Sequence, residues 1–594
     1  MTAFAAVVAG TSADASGEGP VASALGAVYG TPTEILRLGG CVLLAAPLRP
    51  GTGSIFVEPV SGVAAVGQVL LEDPETLAAR YGVPSGVPDL ALLAYGYARR
   101  GEDVTQGLGG EYACALWDPG ARLLLAARDG LGLRPLFLAD GGRTLVVSNT
   151  LSAAVAHPDV PDATDAAALA GFLEHGRLPA GRTPYTAVRR VPEGHTLRAQ
   201  RGAAVRLRQH WVFPERAPAP RRRDDDVREG YRDVLARAVR DRVRGAPAAI
   251  LLSGGIDSTT IAASARAVSP PGTLHAVTAV YDRAARGLEL PYARAAAERL
   301  RIPLTVVPGD QHEALEALDH GAPTPEPIDE PALADWRALM AAAAAHGDVI
   351  LYGEDGDALF DRPGWSELRR GASASALAIQ VLRHVLRTGR VPYLGIRLRE
   401  RLGLVRPFRN PRPTWLTPDA PAPEPDAREM AGAAACRPHA VSRAEARLTH
   451  GASRYLSVLL SPEVSRQRAE ARLPLLDSRV IRYVMETSPI PWCQDKRLPR
   501  TAFRGELPVE VLRRPKTLVP DVFEALVASW QKGALDRLPR LQPPLDTWIA
   551  HDRWRDSLAS ADPLVVGVAW RVLELNAWIR SRARASAGEP ACTP

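Results

Sequence analysis

From the start of the chain to about Phe213, apolar residues come in short runs: Cys41 to Ala46, Tyr112 to Trp117, Leu123 to Ala127 and Leu145 to Ser148. Turn-forming triplets such as Asp118-Pro119-Gly120 and Asp140-Gly141-Gly142 separate them, which is the rhythm of antiparallel strands. The pattern predicts stacked antiparallel sheets with a few helices, one of them around Pro88 to Arg99. Pro214 to Arg223 (P-E-R-A-P-A-P-R-R-R) reads as a linker, because proline removes backbone donors and the charges stay solvated. A helix is expected after it, starting at Asp224-Asp225-Asp226, whose charge suits a helix N-terminus. Val227, Tyr231, Val234, Leu235, Ala238 and Val239 then recur at helical spacing.

Beyond this helix the rhythm changes. Ala248 to Leu252 is an unbroken apolar run, followed by a Gly turn and a helix from about Ile256. Further strand-like runs lie at Leu274 to Val280, Ile302 to Val307 and Val349 to Tyr352, with helical stretches at Tyr292 to Leu300 and Ala332 to Ala345. Continuous apolar strands alternating with helices predict a parallel sheet covered on both faces. Ligands of such sheets sit beyond the carboxyl ends of the strands. After Phe360 the pattern is helical, broken by a proline-rich stretch from Pro407 to Pro425, and a last helix near Val565 to Arg580 closes the core. No internal repeat is visible.

Composition adds limits. A chain of 594 residues with 46% hydrophobic and 23% charged residues is a globular protein of two or three domains. A net charge of +6 over that length gives no reason to expect nucleic acid. The five cysteines, Cys41, Cys114, Cys436, Cys493 and Cys592, show neither zinc-ligand nor disulfide-framework spacing and read as scattered thiols. No Lys or Arg precedes Arg37, so the run Ala3 to Val8 lacks the flank of a signal peptide, and no stretch approaches the length of a membrane span. A soluble, cytoplasmic protein is expected.

The strongest chemical signal is L-L-S-G-G-I-D-S-T, Leu251 to Thr259. A buried strand ends, two glycines permit close approach of a ligand, and the N–H groups of a new helix face an anion together with the Ser253 and Ser258 hydroxyls. The loop lacks the lysine of a Walker A sequence and carries an aspartate, which beside a polyphosphate makes electrostatic sense if it holds Mg²⁺. This segment resembles the pyrophosphate loop of the asparagine-synthetase-like N-type ATP pyrophosphatases. V-I-L-Y-G-E-D-G-D-A-L-F (Val349 to Phe360), R-L-P-L-L-D (Arg472 to Asp477) and L-P-V-E-V-L-R-R-P-K (Leu507 to Lys516) resemble that family's later motifs in order and spacing.

The resemblance implies a second domain, residues 215–594, with a parallel-sheet ATP pyrophosphatase (adenine nucleotide α-hydrolase-like) fold and a mostly helical C-terminal part. It implies ATP and Mg²⁺ as cofactors, with Leu252, Ser253, Gly254, Gly255, Asp257, Ser258, Val280, Tyr352 and Gly353 along the nucleotide. Asp257 and Asp357 would hold the metal, although Asp355 stands where the family has a small residue and competes with Asp357 for that role. Glu354 and Lys516 would be catalytic, Glu354 as proton acceptor or as a metal or nucleotide contact, Lys516 by stabilising charge on the α-phosphate. Lys496 is a second cationic candidate, though a lysine in such a place is usually solvated.

The first half resembles class II glutaminase domains through E-Y-A-C-A-L-W-D (Glu111 to Asp118), A-R-D-G-L-G-L-R-P-L-F (Ala127 to Phe137) and R-V-P-E-G-H (Arg190 to His195). Those domains use an N-terminal cysteine as nucleophile. Here position 2 is Thr2, and no R-G-P-D or N-G-E segment is present. Asp89 is the one candidate glutamine contact, and it also suits a helix start. The expectation is therefore an inactive glutaminase-like (Ntn-type) antiparallel sandwich over residues 1–214. Without ammonia from glutamine the amine must come from elsewhere, as in β-lactam-forming synthetases and lasso-peptide cyclases. Chain length, a Pro407 to Arg443 region able to cover an extended peptide, and the arginines of Arg397 to Arg412 favour the macrolactam-forming cyclase. Its partners would be a precursor or core peptide and, in the same pathway, a leader peptidase and a leader-binding protein, with neither nucleic acid nor membrane. The alternatives are a small-molecule amide synthetase, an asparagine synthetase using free ammonia, and a degenerate scaffold that only binds nucleotide or peptide.

Overall fold

The computed structural model describes residues 2–9, 17–48, 54–200, 203–214, 222–281, 289–312, 323–360, 374–389, 412–422, 453–515 and 537–586, with a few isolated positions between them. Lys516, Cys436, Cys592, most of the linker, almost all of the 397–412 stretch and most of the 407–443 stretch lie outside the described residues.

Two six-stranded antiparallel sheets form the first half. One runs in the order 188–190, 137–140, 144–148, 2–9, 41–47, 34–38, the other 206–209, 195–200, 123–128, 110–118, 64–71, 55–57. Phe4, Leu43, Val66, Ala115, Trp117 and Leu124 fill the space between them. Helices cover both outer faces, Glu18–Tyr29 and Leu151–Val155 on one side, Pro74–Tyr81 and Asp89–Arg100 on the other. The result has four layers, more than the sequence pattern predicts. Strands such as Cys41–Pro47 are buried along their whole length, because a sheet covered on both faces has no polar side.

The second half is built on a five-stranded parallel sheet in the order 304–308, 274–280, 248–251, 349–351, 470–472. The four predicted strands are present within a few residues. The fifth, Glu470–Arg472, is an addition: its charged residues gave no strand signal, and pairing with Val349–Leu351 fixes it. Helix Asp224–Val243 begins at the acidic triplet and buries Val227, Tyr231, Val234, Leu235, Ala238 and Val239. The described residues from 222 onward thus form an α/β unit with a helical end, and the chain has a two-domain α/β organisation. Among the described residues no helix is long and apolar enough to cross a membrane, and Cys41, Cys114 and Cys493 are buried free thiols.

The halves are joined by buried charge. Glu111 of the first half pairs with Arg134 at 2.8 Å and with Arg242 of the second at 2.8 Å, and Arg242 continues to Asp477 at 2.6 Å. Arg134 also reaches Glu470 at 2.9 Å, and the Gln68 amide donates to Glu470 at 3.0 Å. Burial alone would push the Glu470 and Asp477 carboxyls up. Arg472 and Arg134 outweigh it at Glu470, Arg242 and Arg479 at Asp477, and both sit below the usual carboxylate range. Asp129 behaves oppositely, pushed up to about 6 by burial. A group with a raised pKa adds stability as pH falls toward its unfolded value, ~4 for a carboxyl, whereas groups with depressed pKa lose stability below that value. Thermal unfolding followed against pH should therefore give a maximum on the mildly acidic side and a steep loss below about pH 4.

Candidate active site

Strand Ala248–Leu251 ends against Leu252, whose N–H donates to Val277 O at 2.8 Å. The chain then turns through Ser253, Gly254 and Gly255 into helix Ile256–Val268. Gly254 has φ of +67°, and a Cβ there would come within 2.5 Å of Ala293 N, so only glycine fits. The Ser253 and Ser258 hydroxyls lie 3.2 Å apart, and Thr259 Oγ1 donates to Gly255 O at 2.7 Å. These bonds hold the turn open at the helix N-terminus, where N–H groups are available to an anion. Val280 ends the neighbouring strand and is buried.

The segment after Val349–Leu351 folds directly onto this turn. A Cβ on Gly353 would lie 2.9 Å from Ser258 N, and one on Gly356 would lie 2.4 Å from Asp257 Cγ. The two glycines thus let Asp357 approach Asp257. Between the two carboxylates stands Lys496: its ammonium bonds Asp257 and lies 2.7 Å from Asp357. The solvated lysine expected from the sequence is instead the cation of the site. Asp495 and Lys496 have φ of +49° and +53°, a left-handed pair unfavourable for side chains with a Cβ. That backbone aims Lys496 at the carboxylates.

Asp257 is largely buried, with 16% of its side chain exposed, and desolvation, ahead of the opposing Lys496, holds its carboxyl above the ordinary value. Its Oδ1 has no hydrogen-bond partner. Asp355 takes a left-handed conformation (φ 64°), and burial followed by Glu354 pushes its carboxyl up to about 7. The pairing with Lys496 therefore groups Asp357, rather than Asp355, with Asp257. Tyr352 donates its N–H to Arg472 O at 3.0 Å and its hydroxyl bonds Glu354; burial raises its phenol well above the usual value. Arg514, not singled out from the sequence, donates to Ser253 O at 3.0 Å and stacks 4.5 Å over the Tyr292 ring. Its place in R-R-P-K next to Lys516 was the available signal. On the other side of the Lys496 turn lies a cavity of about 960 Å³, walled by Arg222, Arg383, Trp492, Arg497, Arg500 and Arg504 among others.

In the first half, Asp89 starts helix Asp89–Arg100 and its carboxylate is taken up by Leu71 N–H at 2.7 Å and by Arg244 of the second half at 2.8 Å. Asn149, near the start of the chain, donates to Thr2 O at 2.9 Å and accepts from Phe4 N at 2.8 Å.

Comparison with known proteins agrees with this layout. A glutamine amidotransferase domain family matches residues 85–211. A putative glutamine-hydrolysing asparagine synthetase of Mycobacterium bovis is 32% identical over 300 residues, covering 46% of this chain and 42% of that protein. The amidase chyE of Penicillium rubens is 27% identical over 293 residues, with 46% and 43% coverage, and asparagine synthetase 3 of Bacillus subtilis 30% over 183 residues, with 30% and 29%. The matches thus span less than half the length of these relatives. The asparagine synthase family matches residues 230–580, more than half of the chain, and to that family the protein belongs.

Proposed function

We propose that the protein forms an amide bond at the expense of ATP, adenylating a carboxylate and passing the acyl group to an amine. The observation that carries this reading is the Asp257–Lys496–Asp357 cluster at the carboxyl end of a parallel sheet, beside a glycine turn with free helix N–H groups. The orphaned, buried Asp257 Oδ1 fits a hard cation. Among the described residues no three His, Cys, Asp or Glu side chains converge on one metal position, so two carboxylates would share Mg²⁺ with ATP phosphates. Bound there, Mg²⁺ neutralises charge on the phosphates.

A substrate carboxylate oxygen attacks the α-phosphorus and pyrophosphate leaves, its charge met by Lys496 and the N–H groups of residues 256–258. Lys516, which the family motif singles out, is proposed to act on the α-phosphate. An amine nitrogen then attacks the acyl carbon, AMP departs with the acyl–oxygen bond, and the ammonium proton passes to Glu354, which the Tyr352 hydroxyl orients. Leu252 and Val280 would border the adenine.

Thr2 in place of cysteine, and Asp89 already held by Arg244, argue against glutamine as amine source. The arginine-walled cavity, at the upper end of the size range of ligand pockets, supports an extended, carbonyl-rich substrate. The reading is therefore a macrolactam synthetase of the lasso-cyclase kind, joining a peptide's N-terminal amine to an Asp or Glu side chain, with a leader peptidase and a leader-binding protein upstream. The peptide must be folded before closure, and holding amine and acyl adenylate in attack geometry is worth about 7–11 kcal/mol. The relatives' printed names favour a second reading, a small-acid amide synthetase. Mass spectrometry of candidate peptides incubated with ATP and Mg²⁺ should show loss of one water in step with AMP and pyrophosphate. ADP and phosphate in step with product would overturn the mechanism, and dehydration of a small acid alone would select the second reading.

A further inference from the structure

Beyond Tyr352 and Glu354 lies a group of acids that the steps above leave unused. Asp329 and Glu330 come from the segment before helix Leu333–Ala344, Tyr455 from helix Ser453–Leu459, and Arg571 and Glu574 from the last helix, Pro563–Ser586. Arg571 pairs with Asp329 at 2.9 Å and is anchored by Glu174 O at 2.9 Å. Glu330 accepts from the Tyr455 hydroxyl and from Ala332 N at 3.2 Å. Glu574 is different. It is 4% exposed, and neither of its carboxylate oxygens has a hydrogen-bond partner; the peptide N–H of Glu330 comes nearest without completing a bond of ordinary geometry.

Among the described residues, three carboxyl groups face one arginine here, and burial raises all three above their ordinary values. A buried carboxylate without a partner is costly, and native proteins keep one where a ligand or a reaction supplies the missing contact. Asp329 and Glu330 face Glu574 with like charge, and Arg571, paired with Asp329, lowers the Glu574 carboxyl less than burial and these two acids raise it, so that it stands well above the ordinary range. The described acids do not converge as a metal site, so the deficit fits an organic cation with several N–H donors. The group reaches from the surface inward: Tyr455, whose hydroxyl bonds Glu330, is 39% exposed, and Glu574 is 4% exposed. It also adjoins the proposed reaction centre, since Tyr455 and Glu330 both act on the Tyr352 phenol that bonds Glu354.

We infer that Glu574, with Glu330 and Asp329 beside it, is the seat of the substrate's cationic amine, which docks there as an ammonium ion before it becomes the attacking nucleophile. This rests on the amide-forming reading above. An α-amine has a pKa of about 8 and reaches the enzyme mostly protonated. A carboxylate-lined seat binds that form and delivers it next to Glu354, which takes the proton as the carbon–nitrogen bond forms.

Two measurements on the full chain test the seat. In the first, propylammonium chloride should raise Tm of the wild type above sodium chloride of equal ionic strength, and Glu574→Gln should lose that rise. Glu574→Gln by itself should leave Tm unchanged or higher, because it removes a buried carboxyl that has no hydrogen-bond partner and is crowded by two other acids. An equal response of both proteins to propylammonium, or a Tm lowered by the substitution, would mean that Glu574 is a neutral acid with a packing role only. In the second, with a peptide that yields AMP, Glu574→Gln should slow cyclisation about 10–100-fold, the worth of one charge-assisted hydrogen bond. Trapping of the acyl adenylate by hydroxylamine, which is largely uncharged at neutral pH, should keep its wild-type rate. Equal loss of both reactions would assign Glu574 to adenylation and overturn the seat. If no carboxylate yields AMP, the amide-forming reading fails, while the propylammonium measurement still decides the seat.

Discussion

Lys496→Met should lower the rate of adenylate formation about 10²–10³-fold, the usual cost of one preorganised charge-stabilising group, with the fold intact. The expectation follows from geometry. The Lys496 ammonium touches both carboxylates that would share the metal, and its left-handed backbone leaves it few other directions. Methionine keeps the aliphatic stem and removes only the charge. Exchange of labelled pyrophosphate into ATP, driven by a carboxylate substrate, reads this step without the later aminolysis. Unchanged exchange in Lys496→Met would return the role to Lys516 alone. Glu354→Gln makes the contrast: exchange should persist while amide is lost, because the role proposed for Glu354 lies in the second step.

The largest effect on stability should come from Arg242→Met. Arg242 is 2% exposed, donates to Glu111 and Asp477, and also to Ala238 O at 3.1 Å. Removing it leaves two buried carboxylates with one fewer cation, which costs about 3–5 kcal/mol. Arg208, paired with Asp103 where both are roughly half exposed, should by comparison contribute less than about 1 kcal/mol when replaced by alanine. Urea unfolding of the two variants would rank them. Fluorescence of the tryptophans in each half would show whether both halves loosen together in Arg242→Met, as a shared network requires.

What could be read from the sequence was whatever local pattern determines. The apolar runs Ala248 to Leu252 and Leu274 to Val280, the glycine turn and the helix after it are specified by neighbours in the chain, and they stand where the pattern put them. Asp257 could be named because a strand end and two glycines mark it, and Asp357 because its segment resembles a family motif. Glu470–Arg472 could not, because its strand character comes entirely from pairing with residues some 120 positions earlier and its charges from partners in the other half. Lys496 was undervalued for a similar reason: a lysine before a short helix looks solvated until two successive left-handed residues turn it inward. Arg244 on Asp89 is a third case, a long-range pair that gives a helix-starting aspartate a second task.

Strand Glu470–Arg472 lies at the edge of the parallel sheet, and the first half covers it through Gln68 and Arg134. An uncovered edge strand invites pairing with other chains. A descendant of this protein that dropped its first half would therefore gain an adhesive sheet margin and strand Glu470 without two of its partners. Whatever chemistry the first half carries, its cover of this edge gives the two halves a reason of solubility to be inherited together.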